Sequence, residues 1–177
     1  MASTRILSII GRKNAGKTTL TVALASELAR RGRRVMTIKH GHHPADVDRM
    51  GSDSWRHFHE GRAERVLIAS PDVRVLFERT PDEYEPMALA RRYLGDADIV
   101  LAEGFKRAPI PKIEVFRPSV ADRPIYDASS PDADRWAAIV TDDLDFAAPC
   151  KVVRFQDTMW LQLLATLTLE HAQAIDP

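Results

Sequence analysis

Arg5-Ile6-Leu7-Ser8-Ile9-Ile10-Gly11-Arg12-Lys13-Asn14-Ala15-Gly16-Lys17-Thr18 is the stretch on which the fold turns. It opens with a short apolar run rich in isoleucine, suited to a buried parallel strand. The run from Gly11 to Thr18 satisfies G-x-x-x-x-G-K-[ST], placed as its chemistry requires, after a strand and before a helix. Gly11 and Gly16 let the backbone bend so that successive N–H groups, those around Asn14 and Ala15 included, point inward at phosphate. A helix beginning near Lys17 adds its positive N-terminal end. Lys17 offers a point charge to the β and γ phosphates, and the Thr18 hydroxyl a ligand to Mg²⁺. The stretch therefore predicts a phosphate loop that holds a purine nucleotide.

Working outward, residues 17–30 read as a helix with Leu20, Ala23, Leu24, Ala25 and Leu28 on one face, closed by Gly32. Residues 35–39 read as the next strand, which completes a βαβ unit with a right-handed crossover. A helix is expected at 53–60. Strands at 66–69 and 73–78, broken by Ser70-Pro71-Asp72, form an expected antiparallel hairpin. Then follow a helix at 84–94, strands at 99–103, 112–116, 137–141 and 152–155, and a final helix at 158–171 packing through Trp160, Leu161, Leu164 and Leu167. Between residues 117 and 135, Pro118, Pro124 and Pro131 mark a surface excursion, expected to be the most mobile part. The expectation is an α/β protein: a single P-loop NTPase domain over residues 1–177, with a mixed, mostly parallel sheet and helices on both faces.

Bulk composition fits that reading and removes others. A chain of 177 residues suits one domain with a sizeable core. Lys plus Arg equals Asp plus Glu at 25 each, so there is no basic excess of the kind a nucleic-acid partner calls for. The lone cysteine, Cys150, excludes an intrachain disulfide and any C-x-x-C metal site, and is expected as a small buried hydrophobe. The apolar run near the N-terminus is too short for a secretory signal, and no stretch approaches the roughly 20 apolar residues that span a bilayer. A cytoplasmic protein with no membrane association is expected.

A second constellation is Asp98-Ile99-Val100-Leu101-Ala102-Glu103-Gly104-Phe105-Lys106. An acid after an apolar strand is the usual second Mg²⁺ contact in phosphate-loop proteins. The two acids stand roughly 16 Å apart along a strand, and ligands lie beyond the carboxyl ends. Glu103 is therefore chosen for the metal, and Asp98 is expected as a solvated residue at the strand's entry. Lys106 reads either as a contact for an anionic ligand or as an ordinary surface lysine.

The loop from Lys39 to Asp48 carries His40, His42, His43, Asp46 and Asp48 and leaves the carboxyl end of the second strand. It reads as a switch-like loop in which Asp48 or Asp46 touches Mg²⁺, as a separate histidine–carboxylate metal site, or as a polar exposed loop. Its spacing matches no closed zinc pattern.

Taken together, the phosphate loop, Ile38-Lys39-His40 with His42-His43 and Asp46-Val47-Asp48, Gly51-Ser52-Asp53-Ser54, Glu103-Gly104-Phe105-Lys106 and Lys112-Ile113-Glu114-Val115 resemble the molybdopterin-guanine dinucleotide biosynthesis protein B (MobB) family. The likeness runs from about residue 5 to 117 and loosens beyond, although Thr141-Asp142 after an apolar strand fits its shape. One departure is visible: the family commonly has Gly-Lys-Asp-Ser where this chain has Gly51-Ser52-Asp53-Ser54. The resemblance implies GTP binding with slow hydrolysis at most, a homodimer, and a supporting role in molybdenum cofactor maturation beside the guanylyltransferase that joins GMP to molybdopterin. Contact with the molybdopterin cofactor itself is a further implication. Carried onto matching positions, Gly16, Lys17, Thr18 and Thr19 hold phosphates and Mg²⁺, with Glu103 at the metal side.

The Asn-Lys-x-Asp guanine motif is absent. Asp142 reads either as an acceptor for a guanine edge or as a turn residue. In hydrolysis, Lys17 would neutralise charge beside the metal that Glu103 helps to hold. No glutamine stands out to orient a water, which favours slow turnover, a weak GTPase at most. The competing class is a small-molecule kinase that passes the γ-phosphate to an acceptor under an arginine-bearing lid. Phe105, Lys106, Arg107 and Lys112 are read as rim material for any pterin groove.

Overall fold

The computed structural model describes residues 3–41, 48–80 and 85–175, in two compact units, Met1–His40 with Glu85–Pro177, and Gly41–Tyr84. The first unit holds β1 (Arg5–Gly11), α1 (Lys17–Arg30), β2 (Val35–Lys39), α3 (Pro86–Tyr93), β5 (Ile99–Glu103), β6 (Lys112–Phe116), β7 (Trp136–Thr141), β8 (Val152–Arg154), α4 (Trp160–His171) and β9 (Gln173–Ala174). The second holds α2 (Asp53–His59), β3 (Arg65–Ala69) and β4 (Arg74–Glu78).

Seven strands of the first unit make one sheet in the order β2-β5-β1-β6-β7-β8, with β9 joined antiparallel to β1. All other pairings are parallel. Strand β1 is central, and its Ile6, Leu7, Ile9 and Ile10 are fully buried, as a continuous apolar run requires when both sheet faces are covered. On one face α1 and α4 pack Leu20, Leu24, Leu28, Leu164 and Ala165 against Leu7, Ile9, Ile113 and Val140. On the other, Ala90 of α3 packs with Ile6, Val100, Ala102 and Ile110, and Met36 and Ile38 join that cluster. The expected arrangement, mostly parallel with helices on both faces, is the one observed.

Gly32 ends α1 as expected: its φ is 77°, and its N–H donates to the Ala29 carbonyl at 2.8 Å, a backbone state that favours glycine. The hairpin in the second unit is antiparallel, Arg65 opposite Glu78 through Ala69 opposite Arg74. Strand β9 was not anticipated, because two residues after a helix carry no period to read.

Three expectations need correcting. Cys150 is half-buried rather than buried, since it lies after β7 in a loop and not inside a strand. Lys112 is no rim residue: it is 3% exposed, and its ammonium donates to the carbonyls of Ala108 at 2.6 Å and Ile110 at 2.8 Å. Asp98 is not simply solvated; its carboxylate accepts from the backbone N–H of Arg34 at 2.7 Å, tying the start of β5 to the turn before β2.

The segment between β6 and β7 has little regular structure beyond a 3-10 turn at Ala133–Arg135, yet it is anchored. Glu114, on β6 and 1% exposed, accepts from the backbone N–H groups of Ile125 and Tyr126 and from the indole N–H of Trp136. Burial pushes the Glu114 carboxyl up from its ordinary value, and it stays raised although these donors and the nearby Arg12 oppose the rise. A buried carboxylate with three donors is well satisfied, and it fastens a chain that has no helix or strand of its own. No helix among the described residues is long and apolar enough to cross a membrane.

Candidate functional site

The site grows from the turn between β1 and α1. Gly11, at the end of β1, has φ 152°, and a Cβ there would stand 2.6 Å from the carbonyl oxygen of Val115 on β6. No side chain fits, because the loop leaves the sheet in close contact with its neighbour. Asn14 takes a left-handed conformation at φ 66°, and Gly16 another at φ 101°. Gly16 is the N-cap of α1, and no side chain caps that end, so the first-turn N–H groups keep their capacity for an anion. Ala15 is buried at 1% exposure, while Thr18 and Thr19 lie exposed on the first turn of the helix. The Lys17 ammonium folds back over the loop and donates to the Arg12 carbonyl at 2.8 Å.

The acid chosen from the sequence meets this loop. The Thr18 hydroxyl donates to Glu103 Oε1 at 2.8 Å. Parallel register explains the meeting, since Glu103 lies level with Ile9 on one side and Lys39 on the other, at the carboxyl ends of β5, β1 and β2. Lys39 Nζ stands 3.7 Å from the same carboxylate oxygen. Gly104 follows with φ 108°, and a Cβ there would stand 3.0 Å from the Cβ of His40. The His40 ring lies 4.9 Å from that of Phe105, and its backbone N–H donates to the Glu103 carbonyl at 2.9 Å. The Glu103-Gly104-Phe105 run therefore needs its glycine for packing as well as for the turn.

Electrostatically this is a cationic rim around one buried acid. Partial burial lowers the Lys17 ammonium from its ordinary value, Glu103 opposes that, and Lys39 and Lys106 add to the lowering by like-charge repulsion. Lys106 is thus close enough to Lys17 for its charge to be felt there. Such a cluster is suited to a polyanion that brings its own negative charge.

On the other side of the loop lie Asp142, which directly follows β7, and a residue the sequence reading passed over. Arg117, directly after β6, donates from Nε to the Ala15 carbonyl at 3.0 Å, ion-pairs with Asp142 Oδ2, and lays its guanidinium 4.5 Å from the centroid of the Phe155 ring. Its position at a strand's carboxyl end, one strand from the phosphate loop, was the available signal.

Asp48 belongs to the second unit. There its Oδ1 accepts from Ser52 Oγ at 2.9 Å, and Ser52 in turn caps α2 by accepting from Trp55 N–H at 3.1 Å. Burial raises the Asp48 carboxyl, and hydrogen bonds from Ser54, Ser52 and the Arg49 backbone lower it further than burial lifts it. His42, His43 and Asp46 lie outside the described residues, and among the described ones no group of three or more histidine, cysteine or acidic side chains is arranged to hold a metal ion.

Comparison with known proteins places the chain among relatives of one family. The family model for molybdopterin guanine dinucleotide synthesis protein B matches residues 6–142. A molybdopterin-guanine dinucleotide biosynthesis adapter protein of Haemophilus influenzae is 41% identical over 113 residues, covering 63% of this chain and 63% of that protein. The adapter protein of the same description from Escherichia coli strain K12 is 38% identical over 122 residues, covering 67% of this chain and 69% of the relative. The chain thus spans a little under two thirds of the first relative's length in the match. Among solved structures, a molybdopterin-guanine biosynthesis protein B superposes with a TM-score of 0.65 at 29% identity, over 93% of this chain and 97% of that one. Bacillus subtilis MobB, at 19% identity, has the same fold with a TM-score of 0.66.

Proposed function

The chain belongs to the family of molybdopterin guanine dinucleotide synthesis protein B, and from that premise we propose that it is a GTP-binding adapter in molybdopterin-guanine dinucleotide formation. It holds Mg²⁺·GTP on the loop from Gly11 to Thr18, hydrolyses it slowly at most, and serves the guanylyltransferase of that pathway, as a homodimer in the cytoplasm. The observation that carries the reading is the contact of Thr18 Oγ1 with Glu103 Oε1 at 2.8 Å beneath an uncapped helix end.

The residues fit the ion and the nucleotide. Hydroxyl and carboxylate oxygens are the hard donors that Mg²⁺ takes, and Mg²⁺ commonly keeps waters in its remaining positions. Bound there, held by Thr18 and Glu103, the ion would supply positive charge to offset that of the phosphates. The loop N–H groups at Asn14, Ala15 and Gly16, and those of Lys17, Thr18 and Thr19, bind and orient the phosphates. Lys17 exchanges the Arg12 carbonyl for a phosphate oxygen. Asp142 accepts from the guanine edge. With no water-orienting side chain assigned, turnover stays slow unless a partner supplies one.

Binding of GTP and ATP, with and without Mg²⁺, tests this against Lys17→Ala. The reading expects GTP to bind more tightly, Mg²⁺ to strengthen it, and the variant to lose at least about tenfold in affinity, about 1.4 kcal/mol. ATP binding equal to or tighter than GTP would overturn it in favour of a phosphate-transferring kinase.

A further inference from the structure

Beside the phosphate loop, three chain segments meet at one side chain. Arg117 Nε donates to the Ala15 carbonyl at 3.0 Å, its Nη1 pairs with Asp142 Oδ2, and its guanidinium plane rests 4.5 Å from the centre of the Phe155 ring. Its own carbonyl accepts from Val120 N–H at 2.9 Å and Ala121 N–H at 3.1 Å, so the backbone is held as firmly as the side chain. A solvated arginine would have none of these constraints. Only a third of this side chain is exposed, at 33%.

Two consequences follow from the chemistry of these contacts. A trans peptide carries its C=O and N–H on opposite sides. By holding the Ala15 carbonyl, Arg117 turns the Gly16 N–H the other way, toward the interior of the loop where phosphate binds. The second consequence concerns the base. Glu103 marks β5 as the metal side of β1, and the strand order puts β6, β7 and β8 on the other side. A nucleotide whose γ-phosphate and metal lie toward β5 extends its base toward β7 and β8. Asp142 follows β7, and Phe155 and Gln156 follow β8. The carboxylate can accept at both oxygens. Oδ2 is engaged by Arg117, and among the described residues Oδ1 accepts no hydrogen bond.

We propose that Arg117 is a positioning residue for nucleotide selection: it braces the Asp142 carboxylate for a purine edge that presents N–H donors, and couples that carboxylate to the phosphate loop through Ala15. This rests on the nucleotide-binding reading above. Guanine presents two adjacent donors on its Watson–Crick edge, whereas adenine presents an acceptor in the ring position, so a fixed carboxylate favours the first. An unbraced one can turn to water and discriminates less.

The test compares the affinities of GTP and ATP in the full chain, in Arg117→Ala, in Asp142→Asn and in the double variant, with thermal unfolding beside each. Expected is a fall of about tenfold in the GTP-over-ATP ratio for Arg117→Ala, beyond the loss that both nucleotides share through the Ala15 contact. In that ratio the double variant should match Asp142→Asn alone, because Arg117 discriminates between the bases through that carboxylate. If Arg117→Ala does not fold, Arg117→Lys is read instead; it keeps a charge for Asp142 without the planar fork and should lose about threefold in the ratio. Equal loss for both nucleotides, or additive losses of that ratio in the double variant, would show a purely structural arginine and overturn the proposal. A parent protein that binds no GTP would remove the nucleotide reading itself, a separate failure visible before any variant is made.

Discussion

At Gly11 and Gly16 the same residue type answers two different demands. Gly16 needs only its left-handed backbone, since a Cβ there would find nothing closer than Arg117 Nε at 3.9 Å. Gly11 needs the space as well, with Val115 O at 2.6 Å from the place a Cβ would take. Gly16→Ala should therefore cost about 1–3 kcal/mol of backbone strain. Gly11→Ala should cost clearly more, because β1 and β6 must separate to admit the methyl group. Urea unfolding of both variants measures the difference; equal costs would mean that the loop moves aside freely. The motif made both glycines legible in the sequence. Which of them also guards a strand contact was not, because Val115 is far away along the chain. Arg117 was missed for the same reason. A single arginine after a strand carries no pattern, and its partners Ala15, Asp142 and Phe155 are brought to it by the sheet.

Among the elements, those with strong periodicity were readable nearly to the residue. Helix α1 and strands β2, β5 and β6 match their expected limits, for each is bounded by a glycine, a charged residue or a proline. The segment after β6 runs over the surface, as its prolines and polar residues suggested. What they did not show is its anchor, the buried Glu114 on the preceding strand. Read along the strand, Lys112-Ile113-Glu114 alternates charged and apolar residues as a half-exposed strand does. In the fold both charged side chains are covered by the returning chain. Glu114→Ala should leave the N–H groups of Ile125 and Tyr126 without their acceptor, costing about 1–3 kcal/mol. Hydrogen exchange should show those two amides opening faster while β6 itself stays protected. Unchanged exchange at both positions would mean that other contacts hold the segment.

For the whole molecule, one buried cation ties stability to pH. Burial, with help from Arg135, lowers the Lys112 ammonium to about 8 from its ordinary value of 10.5, against an opposing pull from Asp132. Between those two values the unfolded chain holds a proton that the folded chain has released. Stability therefore rises as pH increases through that window. Relative to Lys112→Met, which cannot titrate, the parent should gain in urea midpoint from pH 7.5 to 9.5. A constant gap between the two would rule this out. At this scale the division between sequence and structure is plain. The sequence alone determined the glycine loop between β1 and α1, the strand–helix alternation and that Glu103, not Asp98, stands at the carboxyl end of β5, because each depends on neighbours within a few residues and on a fixed rise or period. Only the tertiary structure decided the strand order, and with it which side of β1 receives Glu103 and which receives Arg117 and Asp142. It also decided that Lys112 and Glu114 are buried. Those outcomes depend on parallel pairing and burial between residues remote along the chain, and no local pattern encodes which remote strand lies beside which.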